Sequence, residues 1–295
     1  MASSNNNYTL PSHLDGDDAR LNLQHDVFGL ILGNKLLKSP VHKDFAGRVL
    51  DIGTGTGVWA SEFAAAYPRS SAVGIDLYAP SITPVPENCT FRVLDAETSN
   101  WDLELENKFD IIHGRMFLFL LKDPNAMLDR CLNALQPGGT IEFQEMQHPY
   151  QTDDLTLAAQ DTPTLRFARL HVEAAARCGY DRTVACRLPD ALKHVGFHDV
   201  KVAHYKVPIG PWMESADMKL AGEKYMQCLR WGMLGFSRKV FTEGLGWTEQ
   251  QVVEACLEVA YDLGNGKVYA PVIVVTGRKA GAEEYWVNDK NSPSV

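Results

Sequence analysis

Gly53, Gly55 and Gly57 stand at alternate positions directly after the apolar run Arg48-Val-Leu-Asp-Ile52. A strand that turns sharply into a helix while its backbone meets a ligand needs residues without Cβ atoms at such places. The helix that opens near Val58 then turns its free N–H groups toward polar or anionic parts of that ligand. Spacing narrows the ligand. The dinucleotide fingerprint is G-x-G-x-x-G/A, but the residue three after Gly55 is Val58, and the third glycine comes one position earlier. That departure counts against NAD and FAD.

Acids and bases recur at the ends of the next apolar runs. Asp76 closes Ser71 to Ile75, where a carboxylate can accept hydrogen bonds from two ribose hydroxyls. Asp95 follows Leu94, where it can accept from the amine of adenine or cap the following turn. In Phe109-Asp-Ile-Ile-His-Gly-Arg-Met116, His113 and Arg115 are expected to emerge at the end of a fourth strand. Arg115 would pair with a carboxylate, and His113 would orient a substrate or act as a base. The alternative for each is a hydrogen-bonded scaffold residue, and for His113 that alternative is the favoured reading. His25, Glu145 and His148 complete the set of candidate bases.

These residues need a frame. Short apolar runs at Arg48 to Ile52, Ser71 to Ile75, Thr90 to Leu94, Phe109 to Ile112 and Thr140 to Phe143 read as strands. Helical spacing at Val58 to Tyr67 and Pro124 to Leu135 alternates with them. Alternation of this kind predicts an α/β fold, a doubly wound and mostly parallel sheet with right-handed crossovers. Ahead of the first strand, Leu21, Val27, Phe28, Ile31, Leu32, Leu36 and Leu37 predict one or two capping helices. Later, Pro163 to Arg177 and Leu188 to His194 read as helices, and Val200 to Val207 and Tyr269 to Thr276 as strands. Trp212 to Leu263 reads as helical, with breaks near Gly232, Gly235 and Gly244 to Gly246.

Composition excludes several classes of partner. A net charge of -9 without a basic tract suits neither nucleic acid nor an anionic membrane surface. The six cysteines form no C-x-x-C pair, so neither a disulfide framework nor a zinc site is expected, and no metal. The opening Met-Ala-Ser-Ser-Asn-Asn-Asn lacks the basic-then-apolar pattern of a secretory signal. A cytoplasmic protein is expected, with the nucleus as the alternative.

Taken together, Val49-Leu-Asp-Ile-Gly-Thr-Gly-Thr-Gly57, Asp76, Asp95-Ala96 and Leu135-Gln-Pro-Gly-Gly139 resemble the motifs of class I S-adenosylmethionine-dependent methyltransferases. Tyr8-Thr-Leu-Pro11, Arg20-Leu-Asn-Leu-Gln-His25, Ile112-His-Gly-Arg115, Phe143-Gln-Glu145, Lys206-Val-Pro-Ile-Gly-Pro-Trp212 and Gly246-Trp247 narrow the resemblance to the fungal LaeA-like subfamily. One departure is Thr140, where the subfamily usually carries Trp after the two glycines.

The resemblance implies a Rossmann-like, seven-stranded sheet with an N-terminal helical cap (1–40). The methyltransferase domain would span 41–279, with a helical insertion at about 211–266 between the last two strands, and a tail would follow at 280–295. It implies S-adenosyl-L-methionine as cofactor, held by Asp51, Gly53, Thr54, Gly55, Asp76, Leu77, Asp95, Ala96 and Arg115, with His113, Glu145 and His25 as catalytic candidates. The substrate would be a small molecule of fungal secondary metabolism, methylated at O, N or S. A regulatory methyltransferase that controls such metabolism through protein partners is the alternative. The insertion, rich in Trp212, Tyr225, Met226, Trp231, Met233, Phe236 and Phe241, is a candidate roof for a flat apolar acceptor. It is also a candidate contact for a second copy in a homodimer.

Overall fold

The computed structural model describes residues 17–101, 105 and 108–281. The expected motif at Tyr8 to Pro11 and nearly all of the 280–295 tail lie outside them. Among the described residues eight strands form one sheet: β1 (Arg48–Ile52), β2 (Ser71–Asp76), β3 (Cys89–Val93), β4 (Phe109–Arg115), β5 (Leu135–Met146), β6 (Gln151–Thr152), β7 (His198–Pro208) and β8 (Val268–Arg278). The order begins β3-β2-β1-β4-β5-β8, with β7 and β6 both paired to β8. The first five strands run parallel, and β8 is antiparallel to its neighbours. Seven strands carry the expected Rossmann-like plan. The eighth, β6, has two residues, too few for any alternation to mark it in the sequence.

Helices cover both faces: α1 (Asp17–Ile31), α2 (Val58–Ala66), α3 (Pro124–Ala134), α4 (Leu155–Gln160), α5 (Pro163–Arg177), α6 (Val184–Val195), α7 (Ala216–Leu245) and α8 (Glu249–Asp262). One core packs α3 and α6 on the sheet through Leu128, Cys131, Leu188 and Leu192 against Phe109, Ile112, Ile141 and Phe143. On the other face Trp59, Phe63 and Ala64 of α2 pack on Val49, Ala72 and Ile111. A third core joins α1, α5, α7 and α8 to β8 through Phe28, Phe167, Phe241, Val252 and Val272.

Among the described residues the cap is one helix, α1, within the one or two expected, and residues beyond Ile31 cross in turns and coil. Two local expectations are corrected. β4 and β5 run longer than the apolar pattern suggests, so His113 lies inside β4, Arg115 closes it, and Glu145 lies inside β5. The helix α7 passes through Gly232 and Gly235 without a break and stops only at Gly246, which takes a left-handed φ of 71°. Gly232 is there for clearance. A Cβ at that position would lie 2.7 Å from Cδ of Arg20 on α1 and 2.7 Å from the ring of Phe236 on α7 itself, so the glycine leaves room for both side chains. Gly232→Val is expected to destabilise the fold by about 1–3 kcal/mol through this clash. Urea unfolding checks it, and an unchanged midpoint would deny the close approach.

Candidate active site

The glycine turn between β1 and α2 is held shut by its own neighbours. Gly53 has a φ of +67°, and a Cβ on it would lie 2.6 Å from the ring of Phe117. Thr54 donates from its backbone to Ile75 and from its hydroxyl to Asp51 Oδ2 at 2.6 Å. Gly55 N–H donates to Asp76 Oδ2 at 2.9 Å, so the acid at the end of β2 also fixes the loop. Burial raises the Asp76 carboxyl above the usual range, and the N–H of Gly55 works in the opposite direction.

Behind the loop, Asp51 Oδ1 accepts from Nδ1 of His113 at 2.7 Å. Trp59 stacks flat on that imidazole, 3.7 Å between centroids and 5° between planes. These two contacts fix the ring and leave its buried Nε2 without a partner at the cavity wall.

The cap helix closes the near side. Asn22 accepts from Thr56 Oγ1 at 2.9 Å, and His25 Nε2 meets Glu62 at 3.0 Å. The other nitrogen of His25, Nδ1, accepts from Arg115 at 2.8 Å, so Nε2 carries the proton toward Glu62. Burial and then the Arg115 charge lower the pKa of His25, which is therefore neutral at physiological pH. Arg115 also lies over the Phe28 ring at 5.2 Å. Burial pushes its guanidinium down to about 10, against the favourable charges of Asp51 and Glu62. It stays protonated near pH 7.

One cavity of about 690 Å³ is lined by Asp51, Gly53, Thr54, Gly55, Asp76, Leu77, Ala96, His113, Arg115 and His25. It continues past Met116 to Phe119, His148, Tyr150, Arg182, Tyr225, Trp231 and Phe236. Two expected site residues stand apart from its wall. Asp95 gives Oδ1 to the backbone N–H groups of Glu97 and Thr98, the turn-capping arrangement, while its neighbours Leu94 and Ala96 face the cavity. Glu145 is fully buried beneath it, and Oε1 accepts from the N–H groups of Phe117 and Leu118, each at 3.0 Å.

Comparison with known proteins agrees with this geometry. A family model described as "Methyltransferase domain" matches residues 23–201, more than half of the chain. The chain belongs to the methyltransferase family. Methyltransferase pytC of Aspergillus terreus is 31% identical over 247 residues, covering 83% of this chain and 74% of that one. The secondary metabolism regulator LAE1 of Cochliobolus heterostrophus is 28% identical over 255 residues, covering 85% and 82%. A solved methyltransferase of Haloferax volcanii, in complex with its activator, aligns over 90% of this chain and 95% of its own at a TM-score of 0.50. At 14% identity that likeness speaks for the fold alone.

Within this methyltransferase, sequence reasoning missed the turn after β4. Met116 takes a positive φ of 54°, and a short 3₁₀ turn follows at Leu118–Leu120. The turn sets Phe117 under the glycine loop and Phe119 at the far end of the cavity. Arg182 and Tyr150 were also missed; a single arginine before α6 and a tyrosine after β5 carry no periodicity or motif. Of the aromatic residues expected in the roof, Tyr225, Trp231 and Phe236 line the cavity. Met233 and Phe241 pack into the core, and Trp212 donates to the Val268 carbonyl at 3.0 Å.

Among the described residues no group of three or more His, Cys, Asp or Glu is arranged to hold a metal, and all six cysteines are free thiols. No helix among them is long and apolar enough to cross a membrane.

Proposed function

We propose that this protein transfers a methyl group from S-adenosyl-L-methionine to a small-molecule acceptor of fungal secondary metabolism. One observation carries the reading: a single cavity joins the glycine loop and Asp76 to a chamber walled by aromatic side chains. Its volume of about 690 Å³ suits two ligands side by side. The residues fit the donor. Gly53 to Gly55 leave the loop backbone bare, Asp76 Oδ1 accepts from Tyr78 N–H at 3.4 Å and has a second lone pair for a ribose hydroxyl, and Leu77, Leu94 and Ala96 offer apolar contact for a base. Asp95 supports that contact by shaping the turn. The unpaired Nε2 of His113 and the charged Arg115 face the polar end.

The bound cofactor supplies an already electrophilic sulfonium methyl. The chain must align an acceptor atom with it and exclude water. His113 is a positioned wall residue, fixed by Asp51 and Trp59. His25 acts through Arg115, since both of its nitrogens are engaged. Glu145 acts through the Phe117–Leu118 backbone. All three are therefore assigned as positioning residues. The proposed compartment is the cytoplasm, with the nucleus as the alternative. The regulatory alternative draws on the LAE1 likeness and calls for a protein partner in place of a small acceptor.

Calorimetry tests the donor. The protein is expected to bind S-adenosylmethionine, and binding of NADH in its place would overturn the assignment. Asp76→Ala is expected to weaken donor binding by about 1–3 kcal/mol, as one charge-assisted hydrogen bond and the Gly55 anchor are lost. Unchanged affinity would remove Asp76 from the ribose site.

A further inference from the structure

Three guanidiniums line the cavity: Arg20 is paired with Asp17, Arg115 lies near acids, and Arg182 has no counter-charge among the described residues. Arg182 lines the chamber beyond Phe119, with its guanidinium 4.9 Å over that ring. Among the described residues no carboxylate pairs with it; the groups that favour its charge are the phenols of Tyr150 and Tyr225. Arg115, at the cofactor end, differs in having the charges of Asp51 and Glu62 nearby. Arg182 is half-buried at the cavity wall, where a cation partly withdrawn from water and without a protein partner is favoured when a ligand completes the pair.

The surroundings supply no substitute anion. Tyr225 donates its hydroxyl proton to Met146 Sδ at 2.9 Å, and its oxygen lies 3.1 Å from the Tyr150 hydroxyl. Both phenols are held above their usual pKa by burial and stay neutral. His148 is packed edge-on to Phe119 at 6.0 Å, and its Nε2 is buried without a partner. Burial and the Arg182 charge push that imidazole down to about 3, so it adds no competing positive charge. The far end of the cavity is thus one fixed cation among aromatic rings and neutral polar atoms.

We propose that the methyl acceptor is an apolar acid, ionised at neutral pH, whose oxyanion pairs with Arg182 while its ring system lies against Phe119. This rests on the methyltransferase reading, and it assigns Arg182 as the residue that selects the acceptor. The planar fork of a guanidinium suits a two-oxygen anion better than an ammonium would. The cofactor's own carboxylate is the other possible source of the anion, and the experiment separates the two.

The protein, loaded with S-adenosylhomocysteine, is titrated calorimetrically with benzoate, benzamide, 2-naphthoate and 2-naphthamide. The naphthoate is expected to bind about ten- to hundred-fold more tightly than its amide, the range of a charge-assisted contact. Arg182→Gln is expected to abolish that preference and leave affinity for the amide and for S-adenosylhomocysteine within about two-fold. Arg182→Lys, which keeps the charge without the fork, is expected to retain part of the preference. Equal affinities for acid and amide, no binding of either acid, or a preference that survives Arg182→Gln would each overturn the proposal. So would a loss of S-adenosylhomocysteine affinity in Arg182→Gln, which would assign the anion to the cofactor. If the wild-type protein fails to bind S-adenosylhomocysteine, the donor reading falls instead. The acid-to-amide ratio of the unloaded protein then decides the Arg182 subsite by the same criteria.

Discussion

Asp51→Ala is expected to cost the fold about 3–5 kcal/mol, the range for stripping a buried polar network of its central acceptor. Asp51 is 3% exposed and accepts from both Thr54 Oγ1 and His113 Nδ1. Alanine leaves both donors unpaired under the glycine loop. It also removes what holds His113 flat on Trp59, so donor affinity should fall together with stability. Asp51→Asn keeps one acceptor and should lose less, about 1–3 kcal/mol. Urea unfolding of the three proteins gives the order. A loss below about 1 kcal/mol in the alanine variant would mean that Asp51 is not the anchor of this wall.

The second large effect is a pH dependence. Burial raises the Glu145 carboxyl to about 7 from the 4.5 of an exposed glutamate, against the help of the Leu118 and Phe117 N–H groups. Between those two values the unfolded chain has lost its proton while the folded chain keeps it. Stability from this group is therefore fully present below the unfolded value and falls as pH rises, levelling off above the folded value. The whole excursion is about 3 kcal/mol. Glu145→Gln keeps an oxygen for the two N–H groups and cannot ionise. The stability of the variant relative to wild type should shift by about 3 kcal/mol in its favour between about pH 4 and pH 8, on top of any constant offset. A difference that does not move with pH would assign Glu145 another state. Glu145→Ala should behave differently. It frees the Phe117–Leu118 backbone, and both ends of the cavity depend on that turn.

Much of the cavity wall around the glycine loop was legible in the sequence. The glycine loop, Asp76 and Ala96 follow from strand ends, because a parallel sheet brings all its carboxyl ends to one edge. Asp95 was legible only as one of two readings, and its carboxylate takes the turn-capping one. His113 and Arg115 were legible as residues near the crevice and both line the cavity, yet their partners were not legible. His25 reaches Arg115 from α1, ninety positions earlier, and nothing in either local sequence announces it. Gly235 and Gly232 read as helix breakers because propensity counts glycine against a helix. Packing against α1 outweighs that cost and keeps α7 continuous.

The sequence by itself determined the alternation of strands and helices, the bare loop after β1 and the acids at the following strand ends. These are local properties, fixed by periodicity and by the absence of side chains where a backbone must approach a ligand. Only the tertiary structure decided which charges have partners. Arg115 is balanced by acids from β1 and α2, whereas Arg182 faces neutral rings drawn from the turn after β4, the segment after β5 and helix α7. Charge balance in a cavity depends on burial and on distances between remote segments, and neither is written in the order of residues along the chain.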